Sequence, residues 1–231
     1  MEYLEFERIL SAKRIQRYKD AANGDTRKAM ALYRYNLRLS QEMFTIVSCF
    51  EVALRNAIDS LLVPSLGEDW LKDSVQDNGI FSNGRMNETR KIIEKAYNRL
   101  NRQGNYSHSK LIAEMEFGVW KYMYSSLQYR ATGQCLLRTF PNKPRSSAAV
   151  QYNNTYIFNE LDKVNSLRNR IAHHEPICFR LHEAEIDTSY IINEYQKIQT
   201  LFSWMGIDSH SMLYGLDHVQ SVCAKINSLK V

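Results

Sequence analysis

Glycine, proline and cysteine are all scarce in this chain, at nine, four and four residues of 231. So few turn formers leave little room for hairpins between strands, and they predict a mostly helical protein. The cysteines, Cys49, Cys135, Cys178 and Cys223, are scattered and form no CxxC pair. That spacing argues against a zinc ribbon or a disulfide framework and suits a reducing cytoplasm. No apolar run approaches the roughly 20 residues a membrane helix requires, so no membrane partner is expected. The opening "MEYLEFERIL" has no basic head followed by an apolar run, so no secretion signal is expected either.

What the chain does have is size and an uneven charge. Its length suffices to bury a sizeable core, and one domain is the simplest organisation. The formal net charge is +5. Between Arg85 and Arg145, however, twelve Lys/Arg face four Asp/Glu, while the rest carries 18 against 21. A central basic segment on a near-neutral body suits a polyanionic partner, or else is the solvated face of ordinary helices.

Apolar periodicity and stop signals place helices at about 3–21, 25–63, 87–102, 107–116, 118–131, 148–174, 182–204 and 209–229. The second is expected to stop at Pro64, with a bend near Leu39-Ser40. Asn87 is the expected N-cap of the 87–102 helix, and 64–84 is expected to be irregular. No repeat, low-complexity tract or linker interrupts the chain. The expected organisation is a single domain over 1–231, with a core at about 30–205 and the 209–229 helix as an appendage.

Polar chemistry concentrates in "SLRNRIAHHEPICF", residues 166–179. At about 100° per residue, Ile157, Leu161, Val164 and Ile171 share one helix face, and Arg168 falls at its centre. A guanidinium on an apolar stripe is costly unless it is paired or lines a cleft. Asn169 and His173 lie together, one turn apart, on a different side. Arg168 and His173 are about 140° apart on an ideal helix, so they meet only through distortion, reach, or a second copy. On the 25–63 helix, Glu51 sits at the edge of an apolar stripe with Arg55 one turn on. Its cation is Arg55 or Arg168, and the two helices are expected to bring Glu51, Arg55 and Arg168 into one polar cluster. A metal site from His173, His174 and Cys178 gains no support, since adjacent histidines diverge by about 100° and no carboxylate accompanies them. For Phe117, Trp120, Tyr122 and Tyr124, core packing is the expectation, and base stacking would need exposed rings beside the basic segment.

"RNRIAH", Arg168 to His173, matches the R-N-x-x-x-H pattern of the HEPN ribonucleases, and "LRNRIAHHEP" resembles the Abi-like (abortive infection) proteins of that superfamily. "FEVALRNAI" at 50–58 and "EFGVWKYMYS" at 116–125 resemble them too. The resemblance runs from about residue 30 to 180. It implies an all-α fold, a HEPN-like helical bundle, here with additional helices at both ends. It also implies a homodimer whose motifs share one cleft and cut RNA with no cofactor and no metal. An antitoxin or regulatory partner follows from that resemblance as well. Glu175-Pro176 departs from the pattern where an exposed basic or polar residue is more usual, which bears on the cleft rim.

The chemistry needs few groups. RNA carries its own nucleophile, the 2′-hydroxyl, so cleavage needs a base, an acid and a cation for the phosphorane. Imidazole titrates near neutrality and arginine matches phosphate with paired donors. Arg168, Asn169 and His173 are therefore the candidate catalytic residues: phosphate clamp, orienter, and acid or base. Glu51, Arg55, Asn56 and His174 are expected in support. The alternative is a helical module that binds RNA or protein through a degenerate cleft and no longer cuts.

Overall fold

The computed structural model describes residues 1–82 and 84–230. Among the described residues there are twelve α-helices, two short 3-10 turns and no strand, only an isolated bridge between Phe179 and Ile186. The protein is all-α. No helix among these residues is long and apolar enough to cross a membrane.

Helix boundaries depart from the expected ones where packing overrides periodicity. The stretch expected as one helix over 3–21 is two, α1 (Tyr3–Leu10) and α2 (Ala12–Ala21). Ser11 separates them with φ +73°, and its Oγ accepts the Arg14 N–H as the cap of α2. Helix α3 (Thr26–Leu66) runs unbroken through Leu39-Ser40 and past Pro64. Pro64 lies in the last turn, where its missing N–H forgoes one bond to the preceding turn, and the helix ends two residues later. The helix ends at Gly67, whose φ of +94° suits a residue without Cβ and whose N–H reaches Val63 O at 2.9 Å. A short α4 (Trp70–Asp73) interrupts the stretch expected to be irregular.

Helix α5 (Asn87–Arg102) has the expected span, but Asn87 is its first helical residue and Met86 holds the cap position. Next come α6 (His108–Glu114), α7 (Phe117–Tyr122) and α8 (Ser126–Ala131), the last two separated where one helix was expected. Helix α9 (Asn154–Ala172) begins later than 148. Helix α10 (Ser189–Trp204) also starts late, because 177–187 doubles back through the Phe179–Ile186 bridge. The expected 209–229 helix is α11 (Ser209–Met212) and α12 (Val219–Asn227), with Gly215 between them at φ +73°.

Residue contacts group the chain into two compact units. The first comprises Met1–Ser48, Ser166–Thr200 and the stretch from Asp208 onward. Phe6, Tyr33, Tyr18 and Phe179 form a chain of edge-on rings in it, with centroids 5.0–5.5 Å apart. Buried Glu42 is neutralised by Arg38 at 2.7 Å and accepts the His218 N–H at 3.1 Å. Helix α12 buries Val219, Val222, Cys223 and Ile226, and Asn227 donates to Thr188 Oγ1 at 2.9 Å.

The second unit is Cys49–Asn165 with Leu201–Ile207. Phe50 meets Phe117 at 6.3 Å and Phe202 at 5.2 Å, so two of the three stretches singled out in the sequence bury against each other. Phe117, Trp120 and Tyr124 are fully buried, as core packing requires. Asp59 accepts from Trp70 Nε1 and pairs with His108 Nε2, both at 2.7 Å.

Candidate functional site

The motif occupies the last turns of α9 and the chain just beyond, all within the first unit. Pro176 cannot continue the helix, and the termination is specific. The His174 N–H bonds to Ile171 O and the Glu175 N–H to Arg170 O, both at 2.9 Å. His174 takes a left-handed φ of +57°. These are the paired bonds of a Schellman stop, with a histidine where glycine is the usual occupant. His174 thus shapes the turn with its backbone, while its side chain is exposed.

Side chains from α2 and α3 hold this turn and the loop beyond it. Arg14 on α2 donates to His174 O. Arg17 donates to Arg180 O and Glu183 O, and its guanidinium lies 4.7 Å from the Phe179 ring centroid. Asn36 on α3, only 3% exposed, accepts the Ile177 N–H at 2.9 Å. From within the motif, Arg170 donates to Glu175 at 3.2 Å and to Pro176 O at 3.0 Å, and stacks 4.9 Å from the Tyr190 centroid. The bonds to His174 O, Pro176 O and the Ile177 N–H satisfy backbone groups that the abrupt helix end would otherwise orphan.

Against this, the three candidate catalytic side chains are uncommitted. Arg168 is half-buried although it projects onto the face of buried Leu161, Val164 and Ile171. Asn169 and His173 are exposed, and the His173 N–H continues the helix to Asn169 O. Among the described residues, none of these three side chains makes a hydrogen bond or ion pair. The contrast with Arg170, two positions from Arg168, is sharp.

The surrounding ionisable groups are structural. Burial pushes the Cys178 thiol up to about 12, so it remains protonated at neutral pH and is a poor nucleophile. Burial likewise raises the Tyr18 hydroxyl far above its usual value. The Ser189 N–H holds the Asp187 carboxyl below the usual carboxylate range as it caps α10. Arg180 pairs with Glu183, Glu185 and Asp187. Among the described residues no three His, Cys, Asp or Glu converge as a metal-binding group.

Of the expected supporting residues, Glu51, Arg55 and Asn56 lie on the part of α3 that belongs to the second unit. Glu51 and Arg55 are half-buried and Asn56 is exposed. Arg55 Nε is buried without a hydrogen-bond partner. The sequence reading missed Arg14, Arg17, Asn36 and Arg170. Only Asn36 had left a signal, as an amide on a helix face otherwise carrying buried Leu32, Tyr33, Leu39 and Met43.

The family model described as "Abi-like protein" matches residues 3–178. The chain belongs to the Abi-like family. The match takes in α1 and α2, and so the arginines that clamp the motif, which the resemblance read from the sequence did not reach. It ends at Cys178, just past the clamped turn of this Abi-like protein. No curated protein and no solved structure matches the chain.

Proposed function

We propose that this Abi-like protein is a metal-independent endoribonuclease of the HEPN kind, its two units together forming one HEPN-like domain. It acts in phage defence or as a toxin by cutting RNA. One observation carries the reading: Arg168, Asn169 and His173 stand uncommitted on a helix end whose turn is held by Arg14, Asn36 and Arg170. A half-buried guanidinium that no protein group neutralises is left to water, and so is open to an anionic ligand.

In the proposed reaction, His173 removes the 2′-hydroxyl proton or protonates the leaving 5′-oxygen. The 2′-oxygen attacks the adjacent phosphorus, the P–O5′ bond breaks, and the products are a 2′,3′-cyclic phosphate and a 5′-hydroxyl. Arg168 offers two parallel donors to the phosphorane oxygens and stays charged throughout. Asn169, one turn before His173, orients the ring or holds an oxygen. One helix places Arg168 and His173 about 140° apart. A homodimer with two motifs facing one cleft therefore supplies acid, base and both guanidinium groups.

The test is labelled RNA incubated with purified protein and a chelator, beside His173→Ala. Loss of the acid–base group should slow cleavage roughly a hundred- to ten-thousand-fold while RNA binding persists. Equal cleavage by both proteins removes the mechanism.

A further inference from the structure

The "EFGVWKYMYS" stretch resembles the family, yet the proposed chemistry makes no use of it. Most of it is core, but Tyr122 is 47% exposed although its neighbours Lys121, Met123 and Tyr124 are buried. Its ring is fixed: Lys121 Nζ lies 4.6 Å from its centroid and Phe158 5.7 Å away. Lys121 is in turn tied to Asp162 at 2.7 Å. A rigid, half-exposed aromatic ring is the platform on which an unpaired base stacks.

Beside the ring is a cleft of about 340 Å³, within the second unit, between α5 and α7. That is within the roughly 300–1,000 Å³ of small-ligand sites. Gly118 lies one turn before Tyr122 on α7, and a Cβ built there meets nothing within 4 Å. The absence of a side chain thus leaves a shelf next to the ring. Exposed Ile92 adds apolar surface. One face of α5 carries Lys91, Lys95, Arg99 and Arg102 within an arc of about 80° at 100° per residue. Lys95 and Arg99 line the cleft together with Glu114 and Glu116, and the two cations continue with Arg102 into an adjoining depression of about 530 Å³ that no carboxylate lines. Arg99 is held by Glu114, whereas Lys95 and Arg102 carry no ion pair among the described residues.

Ring, bare shelf and flanking cations are the chemistry of single-stranded nucleic acid: a planar base between two phosphates. An acidic peptide would satisfy the lysines and arginines but gives no use to the stacking surface. We propose that this cleft is a subsite for single-stranded RNA, with one unstacked base against Tyr122 over Gly118 and the neighbouring phosphates on Lys95, Arg99 and Arg102. The choice of RNA over DNA rests on the ribonuclease reading above.

The test is fluorescence anisotropy with a labelled single-stranded RNA oligonucleotide, in a His173→Ala background that prevents cutting. Tyr122→Phe should bind as the parent does. Tyr122→Ala, which removes the platform, and Gly118→Leu, which fills the shelf, should each weaken binding roughly 5- to 150-fold. Circular dichroism checks folding, and Lys95→Glu serves if either variant misfolds. Folded variants that bind like the parent overturn the subsite, even if the wild type cuts RNA. Unchanged RNA affinity with an altered sedimenting mass overturns it in favour of a contact between copies. Tyr122-dependent binding by a wild type that never cuts sinks the ribonuclease reading and leaves the subsite standing.

Discussion

His173 and His174 are neighbours with opposite fates. His173 presents its ring at the end of the helix, while His174 bends the backbone into the left-handed region. For a residue with a Cβ that conformation costs about 1–2 kcal/mol, which glycine avoids. Glycine's larger unfolded-state freedom returns about 0.4–1 kcal/mol of that gain. His174→Gly should therefore raise the melting temperature by about 1–3 °C, read by calorimetry or circular dichroism. RNA cleavage should be retained, because the carbonyl that Arg14 grips is unchanged. A loss of cutting in that variant would move His174 into the chemistry.

At the scale of elements, the important unit is the turn that follows α9. Asn36→Ala would leave the buried Ile177 N–H without an acceptor, at about 1–3 kcal/mol. The melting temperature should fall by about 2–10 °C, and a smaller effect would mean that water or another group replaces the amide. The helix carrying the motif was legible in the sequence because its cues are local: an apolar repeat, a cluster of polar residues and Pro176. The clamp was not, because Arg14 and Asn36 bond to backbone 160 and 141 residues away and leave no spacing to read. The same logic explains the breaks at Ser11 and at 123–125. Apolar periodicity continues across both, and only packing decides that the chain turns. Tyr122 was read as core for a related reason, since helical spacing marks a face and says nothing about which ring on it meets solvent.

For the molecule as a whole, charge is the relevant quantity. The excess of Lys/Arg between Arg85 and Arg145 lies in the second unit, whereas the candidate catalytic residues lie in the first. If about four phosphates are neutralised on single-stranded RNA, log affinity should fall against log salt with a slope of about −3. A fourfold rise in salt then weakens binding about fifty-fold, and a flat profile would remove the electrostatic footprint.

The guanidinium of Arg14 reaches from the first twenty residues to the turn that ends α9. If α9 carries the proposed chemistry, a restraining protein has no need to cover the motif itself. By prising the N-terminal helices loose it would slacken the turn from behind and disturb the proposed site at a distance. Fusions or trims at that end of the chain would be expected to do the same.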